Sequence, residues 1–303
     1  GYILVTLWVI VTCTFFMMKN LPGTPFDAER FSIMTPQQQE RVLEMYGLND
    51  SLPMQYVKYI KNMLKGDLGT SFTYVNQDVS KVITGRLGPS ALIGIQAVLI
   101  GLAIGLILGI LAAWKHNSGI DYFTMILAVL GVSVPNFVAA ALLQYYIGLK
   151  WGVLPVGFWT GWNCSVLPSI ALSFSATAMV ARFMRTEMLD VLDQDYIITA
   201  RAKGLSQMKV LMRHAVRNSI LPVVTILGPI VVNLMTGSLA VENIFSIPGI
   251  GSLFVDCIKA NDYPVIMGIT IFYAAFYMLI VLLVDLAYSL IDPRIRLAKG
   301  KES

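Results

Sequence analysis

The sequence predicts an all-α protein, a polytopic bundle of about six transmembrane helices. Of its 303 residues 56% are hydrophobic and only 13% are charged, and the mean hydropathy is +0.69. A soluble domain of this length would not remain in solution with that composition. A helix needs about 20 residues to cross the hydrocarbon core of a bilayer, which is about 30 Å thick, and the long unbroken apolar runs of this chain meet or approach that length. Helices are predicted because lipid cannot satisfy exposed backbone groups.

The predicted spans are residues 1–18, 89–114, 122–149, 166–184, 219–241 and 265–291. We expect three regions: the first span at 1–18, an extracytoplasmic cap segment at 19–88, and a core transmembrane domain at 89–303 with a cytoplasmic loop at 185–218. A cleaved signal peptide is the alternative for 1–18, but no small-x-small cleavage pattern follows it.

The distribution of Lys and Arg among short loops predicts the orientation. One side carries only Lys150 and Lys259 in its short loops, and the long segment 19–88 has mixed charge. The other side carries Lys115, Arg182, Arg185, Arg201, Lys203, Lys209, Arg213, Arg217, Arg294, Arg296, Lys299 and Lys301. Both termini are therefore predicted to be cytoplasmic. The net charge of +4 fits an inner face on anionic lipid rather than nucleic acid.

Cysteine and histidine usage indicates no metal site. Cys13 falls in a span, whereas Cys164 and Cys257 fall in predicted outer loops, where pairing between them stays open. His116 and His214 are far apart in sequence, and no cysteine lies at a metal-ligand spacing.

Proline and glycine residues interrupt regular structure in the cap segment, and glycines in the spans indicate close helix–helix contacts. The cap is interpreted as a lid over the helix ends or as a ligand contact. In the second span Gly101, Gly105 and Gly109 form small-xxx-small spacings, which predict the close approach of another helix. Gly94 lies in the same span.

Four residues are candidate helix hinges: Pro135, Pro222, Gly228 and Pro229. Pro135 removes a donor in mid-helix, so a kink is expected there, either as a fixed bend or as a moving hinge. Pro222 is predicted in the first turn of the fifth span, where its missing N–H costs nothing, and Gly228-Pro229 in a bendable interior.

Two carboxylates fall at membrane depth, Asp285 in the last span and Glu242 at the outer end of the fifth. Such groups are candidates for function, although an ion pair with Arg294 or Arg296 or a packing role is an equal alternative for Asp285. A stand-alone carrier or channel needs its own ion-coupling site and commonly internal repeats, which we do not find. An intramembrane enzyme needs a converging acid, Ser/Lys or metal set, which is also missing.

The polar segment 193–218 between two spans is the most informative part of the chain. Asp195 is predicted to cap a short helix that ends at Gly204, a residue suited to the left-handed conformation at a helix end. Ala200, Ala202 and Gly204 form a ridge of small residues with Arg201 and Lys203 beside it. So little side-chain bulk predicts close docking of another protein.

A second short helix is predicted after Ser206 as its cap. One face is apolar, with Met208, Leu211, Met212, Ala215 and Ser219. A basic stripe of Lys209, Arg213 and Arg217 indicates contact with anionic headgroups.

Three groups of short motifs are spread along the chain. They are Tyr196, the run 199–205, His214-Ala215, Asn218 and Leu221-Pro222; Leu21-Pro22-Gly23, Tyr46-Gly47-Leu48-Asn49, Gln55-Tyr56, Gly66-Asp67-Leu68-Gly69 and Ser71; and Glu242, Ile244-Phe245, Ile247-Pro248-Gly249-Ile250-Gly251, Asp262-Tyr263 and Asp292-Pro293-Arg294. Together these motifs resemble those of ABC importer permeases, most closely the oligopeptide/dipeptide branch. The head of the loop motif departs from the generic Glu-Ala-Ala, since Ile198-Thr199-Ala200 stands there, as is usual in the peptide branch.

The resemblance implies a type I ABC importer permease fold and a set of partners. These are a second homologous permease subunit, two ABC ATPase subunits, an extracytoplasmic peptide-binding protein, membrane lipid and a peptide substrate. ATP and Mg would be bound on the ATPase subunits and no cofactor by this chain, which has no Gly-x-x-x-x-Gly-Lys-Ser/Thr loop and is expected not to be an enzyme. The implied ATPase-docking residues are Tyr196, Thr199, Ala200, Arg201, Ala202, Lys203, Gly204 and Leu205.

The function that the resemblance implies is import of oligopeptides or dipeptides into the cytoplasm by alternating access. The outer loop 246–253 is expected to be a gate or a contact for the binding protein, through Ser246, Pro248, Gly249 and Gly251, with a rigid turn as the alternative. Relatives in this branch also carry glutathione or nickel, so the cargo stays open. A stand-alone secondary carrier or channel for small solutes is the alternative function.

Overall fold

The computed structural model describes residues 2–20, 31, 33–45, 47–74 and 77–291. Within these ranges the chain is helical, with one isolated antiparallel bridge between Thr70 and Asp78. The all-α prediction is confirmed. The helices are α1 (Tyr2–Lys19), α2 (Pro36–Met45), α3 (Leu52–Met63), α4 (Val79–Trp114), α5 (Gly119–Ser133), α6 (Asn136–Leu143), α7 (Val166–Leu192), α8 (Asp195–Ala202), α9 (Gln207–Val210), α10 (Arg217–Thr225), α11 (Leu227–Ile244), α12 (Ile250–Lys259) and α13 (Tyr263–Ile291).

Helices lie at all six positions where spans were predicted. By length and composition, three apolar helices of the described chain can each cross a membrane, namely Val79–Trp114, Trp162–Leu192 and Tyr263–Val284. A fourth span results if α5 is counted together with the helical stretch Asn136–Lys150, which begins with α6, across the bend between them. The shorter α1 and the α10–α11 pair occupy the remaining two positions. The motif residues 21–23, 46 and 292–294 lie outside the described residues.

Residue contacts divide the chain into two compact units. The first unit comprises residues 1–88 and 249–278, and the second comprises 89–248 and 279–303. In the first unit, one apolar cluster joins the start of α4 to α12 and the start of α13. In the second, the largest cluster is built around α7.

A buried carboxylate holds the loop before α4 in the first unit. Asp262 is fully buried and accepts hydrogen bonds from the Ser71 hydroxyl, from the backbone N–H of Phe72 at 3.1 Å and from that of Thr73 at 3.0 Å. The Ser71 oxygen accepts in turn from the Tyr74 N–H at 2.8 Å. Because a buried carboxylate needs such donors, this network fixes two segments that are far apart in sequence.

Helix α7 is the most enclosed of the long helices. In its most apolar stretch 67% of the residues are buried, against 22% for the stretch in α4. Three glycines of α4 lie directly against it, where an added Cβ would be 2.7 Å from the Cβ of Ala176 at Gly101, 2.7 Å from that of Val180 at Gly105 and 2.7 Å from the Ala181 carbonyl at Gly109. The predicted small-residue contact face is confirmed, and its partner is α7.

The break at Pro135 is larger than a kink. Helix α5 ends at Ser133, Val134 is extended with φ −83° and ψ 118°, and Pro135 precedes the first residue of α6. The two helices are bent by 100°. The residue before a proline is driven out of the helical region, which explains why the chain leaves the helix at Val134 rather than bending through it.

The predicted roles of Pro222 and Pro229 are exchanged in the structure. The helix that carries Pro222 begins well before it, because the chain is helical from Gln207 through a π-helical segment, Leu211–Val216, into α10. Pro222 therefore lies inside a helix. The break falls at Ile226, and Pro229 takes the first-turn position of α11, where no N–H is needed. Gly228 packs near Val284, with 3.4 Å between an added Cβ and a Val284 methyl.

Replacing Gly105 by alanine should weaken the contact between α4 and α7. The new methyl would lie 2.7 Å from the Val180 Cβ and 2.9 Å from the Thr177 carbonyl oxygen, so backbone must move. We expect G105A to lose about 1–3 kcal/mol of stability, seen as a lower unfolding midpoint of the purified protein in detergent. G94A is the matched control, because nothing lies within 4 Å of that position. An equal midpoint for both variants would contradict the close contact.

Candidate functional site

The short helix α8 begins one residue earlier than predicted and ends as predicted. Gln194 is its N-cap residue and Asp195 its first residue, without a side-chain capping bond, so the cap prediction for Asp195 is wrong. Gly204 has φ +78°. Its N–H donates to the Arg201 carbonyl at 2.9 Å, and the N–H of Leu205 donates to that of Ala200 at 3.4 Å. This is a Schellman end, which requires a left-handed residue at Gly204.

One face of α8 packs inward on a small core. Ile197 and Ala200 are buried together with Val210, and Val191, Leu192 and Leu205 contact this cluster. The structure thus places Ala200 beneath the surface and leaves Leu205 half-buried. The other six sequence-predicted docking residues are exposed: Tyr196, Thr199, Arg201, Ala202, Lys203 and Gly204.

The helix after α8 buries only part of the predicted face, at Leu211, Ala215 and Ser219. Ser206 is its N-cap residue, as expected, but Met208 and Met212 are 50% and 54% exposed. The buried positions are Val210, Leu211, Ala215 and Ser219. Met212 lies in the π-helical segment, whose i→i+5 bonding rotates its residues relative to a regular α-helix.

We define the loop surface as the exposed apolar and basic residues of α8 and α9 and of the π-helical segment. Its apolar members are Tyr196, Ile198, Met208 and Met212, and its basic members are Arg201, Lys203, Lys209 and Arg213. Sequence reasoning missed Ile198, which is 58% exposed although it lies between two predicted docking residues. Exposed aromatic and aliphatic side chains beside exposed cations are typical of surfaces that bind a protein with an acidic rim.

Two hydrogen bonds hold the loop segment in place. The Asn218 amide donates to the Tyr196 hydroxyl at 3.0 Å, joining α10 to α8. The Ser219 hydroxyl lies 3.2 Å from the Glu187 carbonyl, joining α10 to α7. The loop surface is therefore built on the end of α7 and is not a free excursion of the chain.

A buried ion pair lies behind the loop, within the second unit. Asp121 is 2% exposed, and its two oxygens accept from Arg185, from Nε at 2.6 Å and from the terminal nitrogen at 2.8 Å. The Asn117 N–H donates to it at 3.0 Å, and His116 Nδ1 lies 3.1 Å away. We call Asp121 and Arg185 the helix clamp, because this bidentate pair joins the first turn of α5 to α7.

Sequence reasoning missed the clamp. It assigned Arg185 to the cytoplasmic side but gave it no partner. The sequence signal for the clamp was Asp121, an acidic residue in the first turn of an apolar helix. A carboxylate at that position is also stabilised by the helix dipole. At Gly131, further along α5, an added Cβ would lie 3.0 Å from both the Ala178 Cβ and the Phe174 carbonyl. α5 and α7 are thus held together at two places.

The four predicted outer-loop residues differ in exposure. Ser246 is exposed and has φ +51°, Pro248 is half-buried, and Gly249 and Gly251 are buried. Ser246 ends α11 in a Schellman arrangement, since its N–H donates to the Asn243 carbonyl at 3.2 Å and the Ile247 N–H to that of Glu242 at 2.9 Å. Gly249 precedes α12 in an extended conformation. Their role as gate or binding-protein contact stays a prediction.

The end of α11 is tied down by polar bonds in the second unit. Glu242 is fully buried, and the Ser90 hydroxyl donates to its carboxylate at 2.7 Å. The Gln144 amide donates to the Ile244 carbonyl at 2.8 Å, and the Phe158 N–H to that of Phe245 at 2.8 Å. Buried partners of this kind fit a packing role for Glu242. The side chain of Asp285 lies outside the described residues.

The cysteines are free thiols and no metal centre is evident. Cys164 and Cys257 are buried and unpaired with each other. Burial, Asp262 and Asp256 raise the pKa of the Cys257 thiol to about 12, so it stays protonated at neutral pH. Among the described residues no group of three or more His, Cys, Asp and Glu side chains is placed to hold a metal ion.

The chain is similar to known proteins along nearly its whole length. Residues 105–297 match the family of binding-protein-dependent transport system inner membrane components, and residues 2–87 match the N-terminal part of such components. It is 45% identical to the dipeptide transport system permease protein DppB of Lactococcus lactis subsp. cremoris, over 98% of this chain and 97% of that protein. It is 44% identical to the DppB protein of Bacillus subtilis, over 97% of this chain and 95% of that protein.

Less similar proteins belong to the same class of transporter. The chain is 39% identical to the oligopeptide transport system permease protein OppB of Salmonella typhimurium, over 96% of this chain and 95% of that protein. A chain of the MetNI methionine ABC transporter, solved in inward-facing conformations, has a TM-score of 0.56 at 14% identity and covers 70% of this chain and 95% of its own length. An amino acid ABC transporter solved with histidines has a TM-score of 0.54 at 19% identity, and the match covers 71% of this chain and 94% of the transporter chain. The two structures share the fold.

Replacing Asp121 by asparagine should destabilise the second unit. The variant keeps the shape but leaves the Arg185 guanidinium without a carboxylate. Because the Arg185 side chain is 21% exposed, the expected loss is about 1–3 kcal/mol, less than for a fully buried pair. We expect a marked fall in the unfolding midpoint in detergent. K81Q is the control, since the Lys81–Asp78 pair is largely exposed and is worth less than about 1 kcal/mol. Equal midpoints for D121N and K81Q would show that the clamp carries no stability.

Proposed function

Because this chain belongs to the family of binding-protein-dependent transport system inner membrane components, we propose that it is the permease subunit of an ATP-driven ABC importer that carries dipeptides or oligopeptides into the cytoplasm. The observation that carries the proposal is the 45% identity to a dipeptide permease over 98% of the chain. Identity to the two dipeptide permeases exceeds the 39% to an oligopeptide permease, which favours dipeptides as cargo.

The proposed assembly contains three further kinds of component. A second homologous permease completes the pathway, two ABC ATPase subunits bind the loop surfaces, and an extracytoplasmic binding protein delivers the peptide. ATP and Mg are bound by the ATPase subunits, and this chain has no enzymatic site of its own. The missing phosphate loop and the exposed apolar and basic loop surface both support this division of labour.

The proposed orientation places the loop surface and both termini in the cytoplasm. The concentration of Lys and Arg on that side supports it. The family description places such components in the inner membrane. An ATPase, which needs cytoplasmic ATP, then meets α8 directly.

Coupling runs from α8 to the break at Val134. ATP binding closes the ATPase subunits and moves the docked α8. Movement of α8 carries α7, because the buried face of α8 packs on Val191 and Leu192 at the end of that helix. The helix clamp transmits the movement to α5, which ends at the 100° bend. Residues 246–251 are the outer gate or the contact for the binding protein, and the pathway alternates between two states.

Reconstitution tests the proposal most simply. The chain is purified with its second permease and ATPase subunits, placed in liposomes, and supplied with binding protein loaded with a radiolabelled dipeptide. Dipeptide uptake that needs ATP and all subunits is expected. Uptake by this chain alone, driven by an ion gradient, would instead identify a stand-alone carrier. Uptake of glutathione or nickel in place of peptide would overturn the cargo but not the importer.

A valine at Gly204 should uncouple transport from ATP hydrolysis. The position is open, with nothing within 4 Å of an added Cβ, so the effect arises from the left-handed φ of +78°, which a β-branched residue resists. We expect G204V to reduce peptide uptake at least tenfold in the reconstituted importer while the chain still inserts. G204N is the control, since asparagine tolerates that conformation. Normal uptake by G204V would contradict a coupling role for this helix end.

Charge reversal at Arg201 and Lys203 should weaken the ATPase contact. Both side chains are exposed on the loop surface, and cations there suit an acidic rim. R201E/K203E is expected to recover several-fold less ATPase subunit in co-purification at low salt. K65E/K81E, which makes the same charge change at exposed positions of the cap segment, should recover the normal amount. Undiminished recovery with R201E/K203E would assign the contact to the apolar residues alone.

A further inference from the structure

Helix α3 of the cap segment is packed on the membrane span α1. The Tyr56 hydroxyl shares a hydrogen bond of 2.7 Å with Thr12 Oγ1. Ring centroids are 5.4 Å apart for Phe15 and Tyr56, 5.6 Å for Phe16 and Tyr56, and 5.8 Å for Phe15 and Tyr59. The aromatic face of α3 is therefore fixed against the second half of α1.

These contacts determine the depth of α3 relative to the end of the apolar helix. Helix α1 ends at Lys19, and Thr12 precedes that end by seven residues, or about 10 Å at about 1.5 Å per residue. Phe15 is about 6 Å from it by the same measure. With α1 as the first span, α3 lies beside the outermost turns of a transmembrane helix. Interfacial helices bury their apolar face to about 5–10 Å, which is the same depth.

Helix α3 and the turn that follows it, Leu64 to Gly66, carry an apolar and a basic stripe. Pro53, Val57, Ile60 and Leu64 follow the spacing i, i+4, i+7, i+11, and Val57 and Leu64 are 58% and 78% exposed. The basic stripe of Lys58, Lys61 and Lys65 follows i, i+3, i+7 and lies about 100° around the helix from the apolar stripe.

Lys58 is paired with Asp50 at 2.6 Å. In the part of the chain that the structure describes, Lys61 and Lys65 have no carboxylate within ion-pair distance. Two cations are thus left for an external anion.

We propose that α3 is an interfacial helix that lies in the membrane surface beside α1 and binds anionic lipid headgroups. Val57 and Leu64 enter the acyl region, and Lys61 and Lys65 lie at the phosphates. The occupant is lipid because the depth set by Thr12 and Phe15 places the apolar stripe at the acyl boundary, and the basic stripe complements anionic headgroups. The cap segment would then be anchored to the bilayer on one side as well as to α1.

Site-directed spin labelling in nanodiscs tests the proposal. The background is the full chain with C13A, since Cys13 is exposed, whereas Cys164 and Cys257 are buried and do not label. Nitroxides are placed one at a time by V57C, by L64C and, as the matched control on the polar side of the same helix, by N62C. Collision rates with oxygen, which partitions into lipid, and with a water-soluble nickel chelate are measured in discs of neutral phosphatidylcholine with and without phosphatidylglycerol.

We expect the labels at 57 and 64 to favour oxygen over the nickel chelate at least threefold more than the label at 62. The preference should increase with phosphatidylglycerol and lose that increase in K61Q/K65Q. Equal nickel access at 57, 64 and 62 would overturn the proposal. So would labels at 57 and 64 that are water-accessible until the binding protein is added, because that result identifies a protein as the occupant. The readout needs no ATP, cargo or transport, so it stands or fails independently of the proposed function.

Discussion

The close approach of α4 to α7 is the contact on which the second unit depends. In a bilayer no hydrophobic effect drives one apolar helix onto another, so association requires dense packing and polar bonds. Gly101, Gly105 and Gly109 supply the packing, because an added Cβ at each would lie 2.7 Å from atoms of α7. α7 in turn holds α5 through the helix clamp and supports α8 at its end. Loss of the glycine face would displace all of these elements.

The candidate site divides into a surface that is free to bind and a layer that supports it. Gly204 closes α8 with a left-handed turn, and the buried Ile197 and Ala200 fix the helix on α7. Tyr196 and Ile198 are consequently turned outward. In the proposed importer this arrangement lets a force on α8 reach α7 without first deforming a flexible loop. The bidentate Asp121–Arg185 pair then offers a stiff path to α5.

Local sequence patterns predicted the fold class and the helix contacts well, but they predicted side-chain burial and long-range side-chain partners poorly. The glycine spacing and the left-handed end at Gly204 follow from backbone sterics, which short sequence patterns reveal. The partner of Arg185 was missed, because Asp121 lies 64 positions away in the sequence. The burial of Ala200 depends on the small core that it forms with Ile197 and Val210. Met212 is exposed in a π-helical segment, which sequence periodicity does not reveal. The positions predicted for Pro222 and Pro229 within their helices were interchanged, because the helix that contains Pro222 begins earlier in the sequence than the polar segment indicates.

Photocrosslinking at Ile198 tests the central claim most directly. A benzoylphenylalanine at this 58% exposed position lies on the loop surface, and one at Ile95, 59% exposed on α4, serves as the control. In native membranes that contain the partner subunits, we predict a covalent product at position 198 in which mass spectrometry identifies an ABC ATPase, and none at position 95. The absence of an ATPase product at 198, or the same product at both positions, would contradict docking of the ATPase on this surface.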